Sequence, residues 1–287
     1  MRTAVLLILC SCFTLPLAAQ QNPYFVTYDH HMEEPGNLEI AHQSTIGLQK
    51  QNLPTYWAPL VELEYGWTGW WTSSLYLEGA SQNHDAAIFT GYRIENRWKP
   101  INRELKVNPL LYFEYERISE GSRIQKEVVG HAELSEETLR ELHGEKMHEI
   151  EGKLILSSNA KGWNISENFI AEKNLTEDEG VEFGYALGVA RPLSLLASGT
   201  NCSFCRENLV AGLELYGGLG SSQEFGFKET AHYLAPSLVW NTTRNSALKV
   251  SPAFGLTHNS ARMLIRFGYM YEINGFGSKV KKLFGAN

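Results

Sequence analysis

The sequence predicts an all-β fold, an antiparallel transmembrane β-barrel of about twelve strands. Three observations lead there. The first residues have the pattern of an export signal. Segments of alternating apolar and polar residues then recur to near the end of the chain, with aromatics at their ends. The polar face of those segments mixes Glu and Arg with Gly, Ala and Ser, which suits a narrow barrel interior.

Composition agrees. The 287 residues include 25 glycines and 11% aromatics, too rich for disorder and right for a β-protein with many turns. A mean hydropathy of −0.25 excludes a bundle of membrane helices but not a barrel, in which only alternate residues meet lipid. The net charge of −7 argues against nucleic acid as a partner, because phosphates need an excess of Lys and Arg.

In chain order, residues 1–19 read as a cleaved signal peptide. Arg2 supplies the positive start, Ala4 to Leu17 the apolar run, and Ala18-Ala19 the small-residue cleavage site. Residues 20–36 form a leader or plug segment. Within it His30-His31-Met32-Glu33-Glu34 would suit copper or zinc, but equally the mouth of a barrel; Pro35-Gly36 marks a turn into the first strand. Residues 37–273 are assigned to the barrel and 274–287 to a tail.

The clearest strand is Tyr56 to Trp67, where Trp57, Pro59, Val61, Leu63, Tyr65 and Trp67 oppose Glu62, Glu64 and Gly66. Ile88, Tyr92, Ile94 and Trp98 share a face opposite Arg93, Glu95 and Arg97. Val107, Leu111, Phe113 and Tyr115 oppose Glu114 and Glu116. Further alternating runs span 181–189, 209–215, 232–240, 248–256 (with Lys249 on the polar face) and 262–272 (with Arg266). Four segments alternate less well, namely 38–48, 71–79, 149–156 and 163–171, the last with Glu167 on its apolar face. Bulges or misplaced boundaries are expected there. A soluble β-sandwich also alternates and stays the competing architecture.

Arg266-Phe267-Gly268-Tyr269-Met270-Tyr271-Glu272-Ile273 resembles the terminal assembly signal of bacterial outer-membrane barrels. The resemblance implies the outer membrane of a Gram-negative-type bacterium, with outer-membrane lipid and the barrel assembly machinery as partners. The tail after Ile273 departs from the pattern. With an even strand count and both ends periplasmic, Ser119 to His148 becomes the longest outer loop. The connection Pro192 to Arg206 then becomes an unusually long periplasmic one, which calls the strand count into question. It contains Cys202 and Cys205, read as a local disulfide rather than a metal site.

Other chemistry is thinly supported. Ser135 with Glu136 and Glu137 reads as a helix cap, so a short helix is expected over Leu134 to Ile150. Glu145 and His148, three apart on such a helix, could meet a divalent ion, but a solvated acidic loop explains them as well. His84-Asp85 and His258-Asn259-Ser260 contain hydrolase residue types without a nucleophile motif. No cofactor and no enzymatic activity are expected. The sequence reading is a passive pore or transporter for a small polar or charged solute. Its lumen charges are Glu62, Glu64, Arg93, Glu95, Arg97, Glu114, Glu116, Lys249 and Arg266, arranged as paired ions or as a charged constriction. A closed barrel whose outer loop binds a partner is the alternative.

Overall fold

Alternating side chains let each segment pair with both neighbours, and the pairing closes into a ring. The computed structural model describes residues 22–50, 53–82, 87–119, 121–122, 144–177, 180–196 and 204–285. Its strands are β1 (Leu38–Leu48), β2 (Tyr56–Thr68), β3 (Trp71–Gln82), β4 (Ile88–Trp98), β5 (Asn108–Ser119) and β6 (Lys146–Ala160). They continue as β7 (Trp163–Asn174), β8 (Glu182–Pro192), β9 (Leu209–Ser221), β10 (His232–Asn241), β11 (Ser246–Gly255) and β12 (Met263–Ile273). Each pairs antiparallel with its sequence neighbours, and β1 closes on β12 with Leu38 opposite Ile273. A closed ring has no edge, so the ladders can satisfy backbone polar groups where hydrocarbon offers no partners. The protein is a twelve-stranded transmembrane barrel.

The inside–outside assignment follows the alternation. On β12, Phe267, Tyr269 and Tyr271 are 42–46% exposed on the outer face, while Arg266, Met270 and Glu272 are buried inside. The strand count also stands. The connection from Pro192 to Arg206 joins β8 to β9 at the end of the barrel where β1 begins and β12 finishes, so its length does not require an odd strand.

The irregularities fall partly where expected. One shift lies within 71–79, at Glu78–Gly79, and the strand read over 149–156 runs from Lys146 to Ala160, while two further shifts lie outside the four segments. Pairing shifts occur between β2 and β3 at Gly66–Thr68, between β3 and β4 at Glu78–Gly79, and between β8 and β9 at Phe183–Gly184. At the second, Glu78 pairs with Gly91 and Gly79 with Phe89, so Thr90 is the extra residue of a bulge. Phe89 therefore faces outward, and Ile88 does not share a face with Tyr92 as predicted. Glycine is needed at position 91, because a Cβ there would lie 2.7 Å from Ile118 Cα. By contrast β1 and β7 pair without a shift, and Glu167 does face outward, between Leu156 and Leu187.

The helix predicted over Leu134 to Ile150 is corrected at its end. Lys146 to Ile150 is extended backbone in β6, paired with β5 from Lys146 opposite Ser119. Glu145 and His148 thus share no helical face, and His148 Nδ1 lies 2.6 Å from the Tyr115 hydroxyl. Leu134 to His143 lies outside the described residues. An unpredicted helix, α1 (Phe276–Leu283), follows β12.

Tryptophan marks one rim. Trp67, Trp70, Trp71, Trp98, Trp163 and Trp240, six of the seven in the chain, lie at strand ends or turns on the side that carries α1. Such a girdle sits where the apolar band meets headgroups.

Candidate functional site: the barrel lumen

Inward-facing residues of β2 to β5 put acids and bases side by side, and register brings them together. Arg93 Nη1 donates to both carboxylate oxygens of Glu114, at 3.0 and 2.9 Å, and Arg93 Nε pairs with Glu78. Arg97 Nε lies 2.7 Å from Glu95 Oε1, and its Nη2 pairs with Glu64. The Tyr76 hydroxyl lies between two carboxylates, 2.8 Å from Glu62 Oε1 and 2.6 Å from Glu95 Oε2, with one proton to share between them. On β6, Lys153 lies 2.8 Å from Glu151. Buried ions stay charged only when neutralised and hydrogen-bonded in this way. Five predicted lumen residues (Glu64, Arg93, Glu95, Arg97 and Glu114) therefore form ion pairs, and Glu62 joins them through Tyr76. Glu116 is buried on the same wall.

The opposite wall is of another kind. Inward positions of β8 to β12 and β1 include Ala41, Ala186, Ala190, Ala235, Ala247 and Ala253, with Tyr216 and Tyr233 stacked at 5.4 Å. Lys249 and Arg266 stand here; the Arg266 guanidinium lies 5.2 Å from the Tyr216 ring centroid.

The space between the walls holds the leader, and small residues make the room. The amides of Phe25, Val26 and Thr27 all donate to the carboxylate of Glu214 on β9, at 2.9, 2.9 and 2.7 Å. Three consecutive N–H groups converging on one carboxylate form a backbone anion nest. Tyr28 N–H donates to Asn168 Oδ1 at 2.7 Å, and Asn168 Nδ2 returns a bond to the Tyr28 carbonyl at 2.9 Å. Lys249 Nζ donates to the Tyr24 carbonyl at 2.9 Å. The Tyr24 hydroxyl donates to Asn164 Oδ1 at 2.8 Å, and that of Tyr28 to Glu95 at 3.0 Å. Tyr28 and Met32 pack on the buried cluster of Leu110, Tyr112 and Ile155. The anchors come from β4, β5, β6, β7, β9 and β11, so the leader lies across the lumen in the half nearest α1. Beside it remains a cavity of about 110 Å³, with Glu33, Glu39, Glu62, Glu64, Arg97 and Lys249 in its lining.

A titratable cluster pins the leader's far end. Asp29 Oδ2 lies 2.7 Å from His31 Nδ1, and the buried His30 ring bridges Ser157 Oγ and Glu104 Oε1, both at 2.8 Å. Burial disfavours charge on both Asp29 and His31, but each outweighs it for the other. Asp29 is held below its ordinary range and His31 above it. Burial, reinforced by His31, pushes His30 down. Burial, with Glu64, Glu39 and Glu272 nearby, raises the Glu33 carboxyl to about 9.

The other sequence candidates are placed as follows. Cys205 is disulfide-bonded; Cys202, its predicted partner, lies outside the described residues, as does His84-Asp85. Ser260 Oγ donates to the Thr257 carbonyl at 2.7 Å, so this hydroxyl closes a turn. Sequence reading missed Glu214, Asn164, Asn168, Glu78 and Lys153 as contributors. Period two places Glu214 inside, but its partners lie 187 to 189 residues away and are backbone amides, which carry no sequence signal.

This architecture is that of porin-like outer-membrane barrels. An outer membrane channel from Pseudomonas putida F1 superposes with a TM-score of 0.55 at 11% identity, covering 87% of this chain and 100% of that one. A KdgM porin gives 0.51 at 10% identity, over 82% and 98%. The KdgM porin in complex with disordered oligogalacturonate gives 0.50 at 9% identity, over the same shares. No family model and no curated protein matches the sequence. At these identities the likeness is one of fold.

Proposed function

We propose that the chain is an outer-membrane channel for a small polar or charged solute, and that its own leader blocks the lumen until displaced. The observation that carries this reading is the Glu214 nest. It holds the leader by its backbone, through bonds that break without disturbing the ladder of any strand. Similarity of fold to porins supports the channel half of the proposal. In this reading residues 1–19 direct export, and Arg266 to Ile273 recruits the assembly machinery.

A permanently closed barrel is favoured by one feature, the apolar packing of Tyr28 and Met32 on Leu110, Tyr112 and Ile155. Single-channel recording in planar bilayers separates the two. Wild-type protein is expected to be mostly shut. Glu214→Ala removes the acceptor of three amides, costing the seated leader about 3 kcal/mol and raising the open-to-shut ratio about a hundredfold. Correctly folded protein lacking residues 22–36 that still fails to conduct would sink the channel reading.

A further inference from the structure

We propose that α1 is an interfacial anchor that lies along the bilayer surface, its apolar face in the acyl boundary and its lysines on anionic phospholipid headgroups. Phe276, Val280, Leu283 and Phe284 fall at i, i+4, i+7 and i+8, one narrow stripe of a helix. Lys279, Lys281 and Lys282 fall outside that stripe. None of the helix is buried, and Leu283 and Phe284 are 82% and 83% exposed. Among the described residues the barrel meets this stripe at Phe276, and its far end at Leu283 and Phe284 is left uncovered.

Its position names the occupant. β12 ends at Ile273 beside Leu38, which also pairs with Tyr65, so α1 starts on the tryptophan-bearing rim. Gly277 N–H donates to the Gly36 carbonyl at 3.0 Å, tying down the first turn. The Phe276 ring meets Tyr65 edge-on at 6.4 Å; Tyr65 meets Trp67 at 4.8 Å, and Trp67 stacks on Trp71 at 5.4 Å. The apolar stripe is thus continuous with the outward aromatic girdle, already a lipid contact. Three lysines on one short helix complement anionic headgroups, each strengthening attachment about fivefold at a charged surface.

The test uses the full chain, reconstituted in zwitterionic vesicles with and without phosphatidylglycerol. Spin labels are placed by Leu283→Cys and Lys281→Cys, and folding is verified by resistance of the barrel to unfolding in detergent. Oxygen should reach the label at 283 better than a water-soluble nickel complex does, and the order should reverse at 281. Replacing Lys279 and Lys282 by Glu should move the 283 label towards water in anionic vesicles. A 283 label more accessible to nickel than to oxygen would overturn the proposal. So would one shielded from both reagents, as under a protein partner. An accessibility at 283 unaffected by phosphatidylglycerol and by charge reversal would overturn the role given to the lysines.

Discussion

From β2 to β7 the barrel presents Glu and Arg side chains paired with one another, whereas from β8 round to β1 it presents mostly Ala, Gly and Tyr, with Glu214, Lys249, Arg266 and Glu272 set singly among them. The first wall fills its space with its own ion pairs. The second leaves space, and the leader occupies it, held by backbone on Glu214 and Lys249 and by side chains reaching Asn164 and Glu95. A charged wall must be self-sufficient, because each buried charge needs a partner at fixed distance. A wall of small residues can accept a foreign segment, since contact there depends on shape and a few hydrogen bonds. The barrel itself depends on the first wall, and whether the lumen is open depends on the second.

The largest effect should come from breaking the self-sufficiency of the charged wall. Arg93→Leu leaves Glu78 and Glu114 facing each other and is expected to destabilise the folded barrel by about 3–5 kcal/mol in urea titrations. Removing Glu114 as well should restore part of that loss; a double variant no better than the single would refute the pairing account. On the other wall, Gly188 lies directly under the leader, where a Cβ would come within 2.7 Å of the Tyr24 ring. Gly188→Leu should unseat the leader at a cost of about 1–3 kcal/mol to its docking. The readout is proteolysis near Tyr24 together with raised conductance. Unchanged protection of the leader would show that the second wall is not its seat.

Between the walls, Glu33 sets a pH dependence. Its carboxyl, raised to about 9 in the seated leader, holds a proton that a displaced leader surrenders at ordinary carboxylate pH. Docking is therefore full below the ordinary carboxylate range and weakens as pH rises towards about 9, by at most about tenfold per pH unit. His31, also raised, adds in the same direction and is lost as pH passes its seated value. His30, lowered, opposes them, contributing above the ordinary histidine range and losing that as pH falls. Asp29, lowered, matters only in acid. Open probability should climb between pH 5 and 8 and flatten in Glu33→Gln; an unchanged slope in that variant would remove Glu33 from the account. The smallest change concerns the outside of the charged wall. Glu167 faces lipid between Leu156 and Leu187, and Glu167→Leu should stabilise the barrel by about 1 kcal/mol in the same urea titrations.

Much of the fold was legible in advance, because period two is written in each segment separately. Trp57, Val61 and Trp67 outside and Glu62 inside follow from their parity alone. The bulge at Thr90 was not legible, since one extra residue inverts the faces before it while leaving each local pattern plausible. β6 extends beyond the 149–156 legible in the sequence because Lys146 to His148 also fit the end of a helix and Ser157 to Ala160 have no large apolar residue to mark an outer face until β5 and β7 pair with them.

What the chain determined by itself was the number of strands, most of their boundaries and, away from the bulge at Thr90, which residues of each turn outward. Those depend on side chains one and two positions apart. Only the tertiary structure decided which charges pair, that residues 22–36 lie inside the barrel, and that the tail emerges beside Tyr65 and Trp67. Each of these joins positions up to some two hundred residues apart, which ring closure brings within hydrogen-bonding or packing distance and no local pattern encodes.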